Sequence, residues 1–301
     1  MVEILALIKD WEQGDARLQH TIDDTELEES FEDLYLDDLA AAPKCQFDAH
    51  HEDNSSATGF LVRDTFAIGS GNGAEVPGFL FGCAHRTEEF QSHGVLAGVL
   101  SLGRRRRDGS LVTELTKRGV HRFSYCLLGP RWPGRRGFLR FGDDAPATGR
   151  MQRTRIERCM GEGDDGVHNR VYSVHLAGVS VAGRRLPGRR RRENLPGISG
   201  CPRVSFAVYG FCLRLRGAAD NVWEQLPTVT LHFEEPGVEL VLRPQQMFMA
   251  VVEHVCLAVA PGTSKWARTI IGAMQQVDTR FTFDLKEGAV YLAPEQCLLE
   301  I

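Results

Sequence analysis

Apolar and polar positions alternate most regularly near the C-terminal end of the chain. Val277, Thr279, Phe281, Phe283 and Leu285 recur at every second residue, and Asp278, Arg280, Asp284 and Lys286 fall between them. Successive side chains of a strand point to opposite faces, so this spacing predicts a strand with one buried face. Lys286-Glu287-Gly288 supplies a turn, because Gly288 can take positive φ. Val290 to Ala293 then returns as a second short strand, ended by Pro294. A hairpin of this kind needs a larger sheet to lie on.

The same alternation recurs upstream. Asn54 to Gly59 reads as a tight turn, followed by Phe60, Val62, Phe66 and Ile68 at even spacing. Val76 to Cys83 is a short apolar strand bounded by glycine, and Tyr172 to Pro187 alternates with Gly178 and Gly183 at bends. Leu226 to Phe233, then Glu235-Pro236-Gly237 and Val238 to Leu242, read as strand, turn and strand. Between these lies one helical pattern, with Leu111, Val112 and Leu115 inward, Ser110 as cap and Gly119 as stop. Residues 1–44 differ. Ile4, Leu7, Ile8 and Trp11, and again Leu27, Phe31, Leu34 and Tyr35, have helical spacing, and the charges from Asp23 to Asp38 are all acidic. That segment is expected to be an acidic N-terminal extension, helical or disordered. The chain is therefore mainly β from Cys45 onward. Its polar, glycine-rich stretch at 143–170 separates a segment 45–150 from a segment 168–301.

Composition narrows the function classes. With 301 residues, 43% hydrophobic and 25% charged, the chain has the make-up of a globular protein. A net charge of −5 gives no global pull toward nucleic acid or membrane. The arginine runs Arg104–Arg107 and Arg189–Arg192 lack interleaved aromatics and read as solvated loops, so no nucleic acid is expected as a partner. No apolar run reaches the length of a membrane span, and no membrane association is expected. The N-terminus, with Glu3 inside a short apolar run, is a poor signal peptide. The eight cysteines contain no C-x-x-C pair, which argues against zinc and fits disulfides made in an oxidising compartment.

Several motifs in fixed order carry a resemblance. The chain has Cys45 and Phe47 ahead of a turn holding Asp53 and Ser55, then VPGFLFGC at Val76–Cys83, SLVTEL at Ser110–Leu115 and FSYCL at Phe123–Leu127. GFLRFG at Gly137–Gly142 and YSVHLAGVSVAGRRLP at Tyr172–Pro187 follow. The C-terminal run has TIIG at Thr269–Gly272, Gln275-Gln276, FDL at Phe283–Leu285, Ala293-Pro294 and Cys297. Taken together, the series resembles the plant pepsin-like aspartic peptidases of the nepenthesin type. The resemblance implies an incomplete bilobal pepsin-like (acid protease) fold, with 45–150 and 168–301 as partial lobes. It also implies disulfides Cys212–Cys256 and Cys126–Cys297, a polypeptide substrate or protein partner, a monomer, and a secreted or vacuolar location. It places His51 at the flap position usually held by tyrosine, with Asp53 and Ser55 kept beside it. Asn54 opens an Asn-Ser-Ser glycosylation sequon in that turn.

The chemistry of that family needs two carboxylates. Two carboxyls about 3 Å apart share one proton, so that one acts as acid and the other as base on a water. Each sits in an Asp-Thr-Gly or Asp-Ser-Gly loop, and neither tripeptide occurs in the chain. Asp24-Thr25 is followed by Glu26, and from Gly166 to Ala219 there is no aspartate, with Glu193 the only acid in that interval. The expectation is an aspartic endopeptidase homologue without a catalytic dyad. The alternative is a non-catalytic binding or inhibitor protein on the same scaffold, similar to the plant xylanase inhibitors. No cofactor is expected. Gly161–Gly166 spells G-x-G-x-x-G, but its acids would repel a phosphate. His50-His51-Glu52-Asp53 would splay to both sides of a strand, so no metal site is expected there. No G-x-S-x-G elbow is present for serine chemistry.

Overall fold

A computed structural model describes residues 2–4, 7–8, 46–50, 55–68, 74–88, 98–103, 110–129, 137–147, 150–157, 172–186, 203–206, 209–214, 222–251, 253–259 and 269–297. The chain divides into two compact units, Leu7–Gly119 and a second made of Met1–Ala6 with Val120–Ile301. The fold is mainly β.

The unit Leu7–Gly119 is built on a long antiparallel ribbon. Gln46–His50 pairs with Ser56–Ile68, which pairs in turn with Ala74–Glu88. The turn predicted at Asn54–Gly59 is shorter than that, because Ser56 to Gly59 already lie in the strand. Gly59 is there for close approach rather than turning. A Cβ on it would fall 2.7 Å from the Phe47 ring and overlap the Cys83 carbonyl, and one on Gly82 would also meet that ring. The helix Leu111–Lys117 packs against Ala74–Glu88 with Leu111, Val112 and Leu115 buried. Ser110 occupies the cap position, but its hydroxyl donates to the Gly103 carbonyl at 2.6 Å instead of accepting from the helix. Gly119 ends the helix at φ +86°.

The larger unit centres on the C-terminal hairpin, Thr279–Asp284 paired with Ala289–Pro294, with Gly288 at φ +62° in its turn. Its sheet has five strands, in the order Phe138–Phe141, Arg122–Cys126, Thr279–Asp284, Ala289–Pro294 and Gln152–Arg155. Thus Gln152–Arg155, inside the stretch that composition reads as a boundary, is a strand of this sheet. The expectation of one buried face for Thr279–Asp284 is corrected. Thr282 and Asp284, on the opposite face from Phe281 and Phe283, are buried as well. Burial of those polar groups is tolerated because they are satisfied. The Thr282 hydroxyl lies 3.0 Å from both the Ser124 hydroxyl and the Pro146 carbonyl, and Asp284 accepts from the backbone N–H groups of Lys286 and Glu287.

The apolar face is an aromatic stack. Phe283 lies 4.7 Å from Phe123 and 4.6 Å from Tyr172, and Tyr125 lies 5.7 Å from Phe281. All five rings are almost fully buried. Each contributes about 1.5–3 kcal/mol by burial, and each ring pair about 0.5–1.5 kcal/mol more. The unit also holds two four-stranded sheets: Arg184–Arg185, Leu176–Val181, Val229–Phe233 and Glu239–Leu242 in one, and Arg203–Phe206, Tyr209–Arg214, His254–Leu257 and Phe248–Val251 in the other. Val2–Ile4 lies between Tyr172–Val174 and Thr269–Ile271. Val2–Ile4 and Leu7–Ile8 are strands, which corrects the helical reading at Ile4, Leu7 and Ile8, while Trp11 and the pattern at Leu27, Phe31, Leu34 and Tyr35 lie outside the described residues. Pairing on both flanks of Val2–Ile4 satisfies its backbone and overrides a four-residue apolar spacing.

Disulfides join Cys126 to Cys297, with Cα atoms 5.1 Å apart, and Cys212 to Cys256, 4.0 Å apart. They bridge 171 and 44 residues of sequence. On the chain-entropy account, loops of that size contribute about 5 and about 4 kcal/mol. Replacing Cys126 and Cys297 together by Ser, or Cys212 and Cys256 together, is expected to lower unfolding free energy in urea by amounts of that order. Losses below about 1 kcal/mol for both pairs would contradict these pairings as structural.

Candidate functional site

The residues around the Gln275-Gln276 pair are tied together by side-chain amides. Gln276 is fully buried, accepts from the Tyr125 hydroxyl at 2.5 Å and donates to the Ile271 carbonyl at 2.7 Å. Gln275 donates to the Gln246 carbonyl, and buried Gln246 donates to the Val277 carbonyl at 2.9 Å. Burial, reinforced by Tyr172, pushes the Tyr125 hydroxyl well above the usual tyrosine range, so it stays a neutral donor. The short helices Pro244–Met247 and Ala273–Gln276 are thereby locked to one another and to the five-stranded sheet. The glutamine pair is a structural brace.

The sequence-predicted site residues fall in different places. His51, Asp53 and Asn54, like Asp24 and Glu193, lie outside the described residues. Ser55 is buried at the mouth of the hairpin formed by Gln46–His50 and Ser56–Ile68. Asp64 is exposed on the ribbon, and its carboxylate accepts the Thr65 N–H at 2.7 Å. A third Asp-Thr pair, Asp278-Thr279, opens the central strand. There Asp278 takes φ +53°, its N–H donates to Leu127, its carbonyl accepts from Glu295, and its carboxylate pairs with Arg243. These carboxylates answer N–H donors and cations rather than a second carboxylate, so none has the environment of a proton-sharing dyad. Among the described residues, no group of three or more His, Cys, Asp and Glu is arranged to hold a metal ion.

Glu235 links two sheets. Its carboxylate accepts from the Thr154 hydroxyl at 2.6 Å and from the Arg155 N–H at 2.8 Å. Burial alone would raise this carboxyl. The Thr154 hydroxyl, the backbone donors and the Arg153 charge outweigh that and hold it below its ordinary value. Close by, the Glu239 N–H donates to the Gln152 side chain.

A second cluster was missed by motif reading. On the outward face of the sheet containing Val229–Phe233, Ser180 Oγ lies 2.6 Å from His232 Nε2, and His232 Nδ1 lies 2.9 Å from Glu239 Oε1. His232 is directly opposite Glu239 in register and diagonal to Ser180, which faces Thr230. Val229, Leu231, Leu240 and Leu242 fill the other face and are buried. Ser180 sits in the middle of a strand, not in an elbow, so a G-x-S-x-G search passes over it. The readable signal was the alternation that sets Thr230 and His232 apart from their apolar neighbours.

Comparison with known proteins agrees with this frame. Two family descriptions match, "Xylanase inhibitor N-terminal" over residues 36–143 and "Xylanase inhibitor C-terminal" over 193–294. The chain is similar to aspartic proteinase nepenthesin-2 of Nepenthes gracilis, 24% identical over 88% of this chain and 65% of that protein. It is also similar to nepenthesin-1 of the same plant, 25% identical over 84% of this chain and 61% of that protein. It thus spans about three-fifths of the length of these curated relatives. Among solved structures, basic 7S globulin from soybean has the same fold, with a TM-score of 0.59 at 19% identity over 84% of this chain and 74% of that one.

Two outcomes test the bracing. Gln276→Leu removes the acceptor of the buried Tyr125 hydroxyl and one hydrogen bond to the Ile271 carbonyl, and is expected to lower stability by about 2–4 kcal/mol in urea unfolding. A loss under about 0.5 kcal/mol would show that water or another group replaces the amide. A carboxyl held low in the folded state adds stability above its unfolded value, about 4.3 for glutamate, and that gain disappears as pH falls through the folded value. Glu235 is only partly buried, so Glu235→Gln is expected to cost about 0.5–1 kcal/mol at neutral pH. The difference from the parent protein should shrink below about pH 4. A difference that stays constant into acid would contradict the assignment.

Proposed function

Because this chain belongs to the plant pepsin-like aspartic protease family, we propose that it is a protein-binding member built on that scaffold and not catalytic by the aspartic mechanism. The observation that carries the reading is internal to the sequence: no aspartate stands between Gly166 and Ala219, where the second lobe would supply its catalytic loop. A dyad needs one carboxylate from each lobe, so this absence is sufficient whatever occupies the first position. We read 45–150 and 168–301 as counterparts of the two lobes, with His51, Asp53 and Ser55 at the flap and Asn54 as a glycosylation site should the chain be secreted.

Losing a catalytic unit of this type removes about 10⁴ or more of the rate, equivalent to roughly 5.5 kcal/mol of barrier. What supports a binding role is that buried glutamines, an aromatic stack and two disulfides hold a frame in a chain without the catalytic tripeptides. The matching family descriptions are named for xylanase inhibitors, so glycoside hydrolases are the partner class to try first.

Purified protein is expected to leave an unfolded protein substrate intact in acid, with or without a pepstatin-type inhibitor. It is also expected to retain a glycoside hydrolase in a pull-down against a panel of them. Inhibitor-sensitive cleavage that disappears on Asp24→Asn would overturn the non-catalytic reading. Retention of no member of the panel would overturn this choice of partner.

A further inference from the structure

We propose that Ser180, His232 and Glu239 form a serine-type acyl-transfer site on the outward face of the sheet Arg184–Arg185, Leu176–Val181, Val229–Phe233 and Glu239–Leu242, acting on small esters. The proposal is independent of the aspartic chemistry. It rests on the hydrogen-bonded chain Ser180 Oγ, His232 Nε2, His232 Nδ1 and Glu239 Oε1, at 2.6 and 2.9 Å.

The direction of those hydrogen bonds follows from the groups themselves. An ionised Glu239 can only accept, so His232 Nδ1 carries the proton. In the neutral ring Nε2 is then the acceptor, and the Ser180 hydroxyl donates to it. This is the protonation pattern a general base needs toward a hydroxyl nucleophile, with the carboxylate fixing the tautomer. Three adjacent strands hold the three groups, and Glu239 is further fixed by its own N–H on Gln152. Sites carried on strands are positioned more rigidly than sites on loops.

His232 and Glu239 keep 18% and 42% of their side chains exposed, and Val241 beside them keeps 53%, so solvent reaches this face. Ser180 itself is only 6% exposed. Arg185, its direct neighbour in register, stretches along the strand toward Gly178. A Cβ on that glycine would lie 2.8 Å from the guanidinium, and Arg185 donates to the Ala177 carbonyl at 3.2 Å. Gly178 is opposite His232, so the guanidinium passes over the same face as the triad. Arg185 is exposed, and exposed side chains change rotamer within nanoseconds. Its displacement would open Ser180 to a small ester and leave a cation beside it for the developing oxyanion.

The step balances without any co-reactant except water. His232 Nε2 takes the Ser180 proton as Oγ bonds to the ester carbonyl carbon, and the carbonyl electron pair moves to its oxygen. The tetrahedral alkoxide collapses, the bond to the alcohol oxygen breaks, and His232 returns the proton to the leaving alcohol. Water then repeats the sequence on acyl-Ser180, releasing the acid and the free hydroxyl.

The test uses the full chain, a fluorophosphonate probe and p-nitrophenyl acetate. A covalent adduct is expected on the peptide that contains Ser180, with acetate ester hydrolysis above buffer. Ser180→Ala should abolish both, and its far-UV circular dichroism should be unchanged. His232→Asn should slow labelling by about 10²-fold or more. Glu239 acts through the imidazole as a positioning residue. Glu239→Gln, which removes the charge that fixes the tautomer, should slow labelling at unchanged melting temperature, and Glu239→Asp should restore part of it. No adduct at Ser180, an adduct on another residue, or labelling insensitive to His232→Asn would overturn the proposal. A pepstatin-type inhibitor should leave the labelling unchanged, which separates this outcome from the fate of the aspartic reading.

Discussion

The larger unit depends on one arrangement, the stacking of Phe283 between Phe123 and Tyr172 on a strand that is hydrogen-bonded on both flanks. Removing those rings from water supplies the main favourable term, and the ladders on either side fix the register that makes the rings meet. Thr279–Asp284 is buried on both faces, so a one-residue slip would exchange Phe283 for Thr282 in the stack and leave the threonine hydroxyl without its partners. Register and core composition are therefore the same constraint. The disulfide at Cys126 and Cys297 closes the edge of this sheet with Phe138 and Leu128 packed against it.

From that sheet the braces run outward. Tyr125 reaches Gln276, Gln276 holds Ile271, Gln246 holds the chain entering the central strand, and Glu235 with Glu239 is gripped by the strand Gln152–Arg155. Each buried polar group in this set has its partner, and a half-satisfied set would be worse than an apolar core. None of these contacts involves a catalytic aspartate. That is the physical reason the frame can persist in a chain whose sequence lacks the second catalytic loop. Folding draws on the frame, and function lives in sites grafted on it.

The parts that could be read from sequence are those whose cause is local. The period-two spacing of Phe281 and Phe283 shows the central strand, and Gly288 shows its turn. The burial of Thr282 was not readable, because its cover comes from Ser124 and Pro146, more than a hundred residues away. Gly59 was misread because glycine serves both turns and close approaches, and only the Phe47 ring decides between them. Ile4, Leu7 and Ile8 have helical spacing, yet strand partners elsewhere in the chain determine their form. The candidate sites divide in the same way. Absence of the Asp-Thr-Gly and Asp-Ser-Gly loops is a fact of sequence. The Ser180–His232–Glu239 chain depends on a register between strands 52 residues apart, which composition and spacing do not reveal.

Native-state hydrogen exchange is the most direct measure of whether the C-terminal hairpin and its aromatic stack carry the larger unit. Amides of Arg280 to Phe283 should exchange only by global unfolding, with opening free energies equal to the unfolding free energy from denaturant. Amides of Arg63 to Thr65, the exposed stretch of the strand Ser56–Ile68, should exchange through much smaller openings. If Arg280 to Phe283 exchanged through local openings several kcal/mol below the global value, while another sheet of the unit remained protected, the hairpin would not be the element the unit depends on.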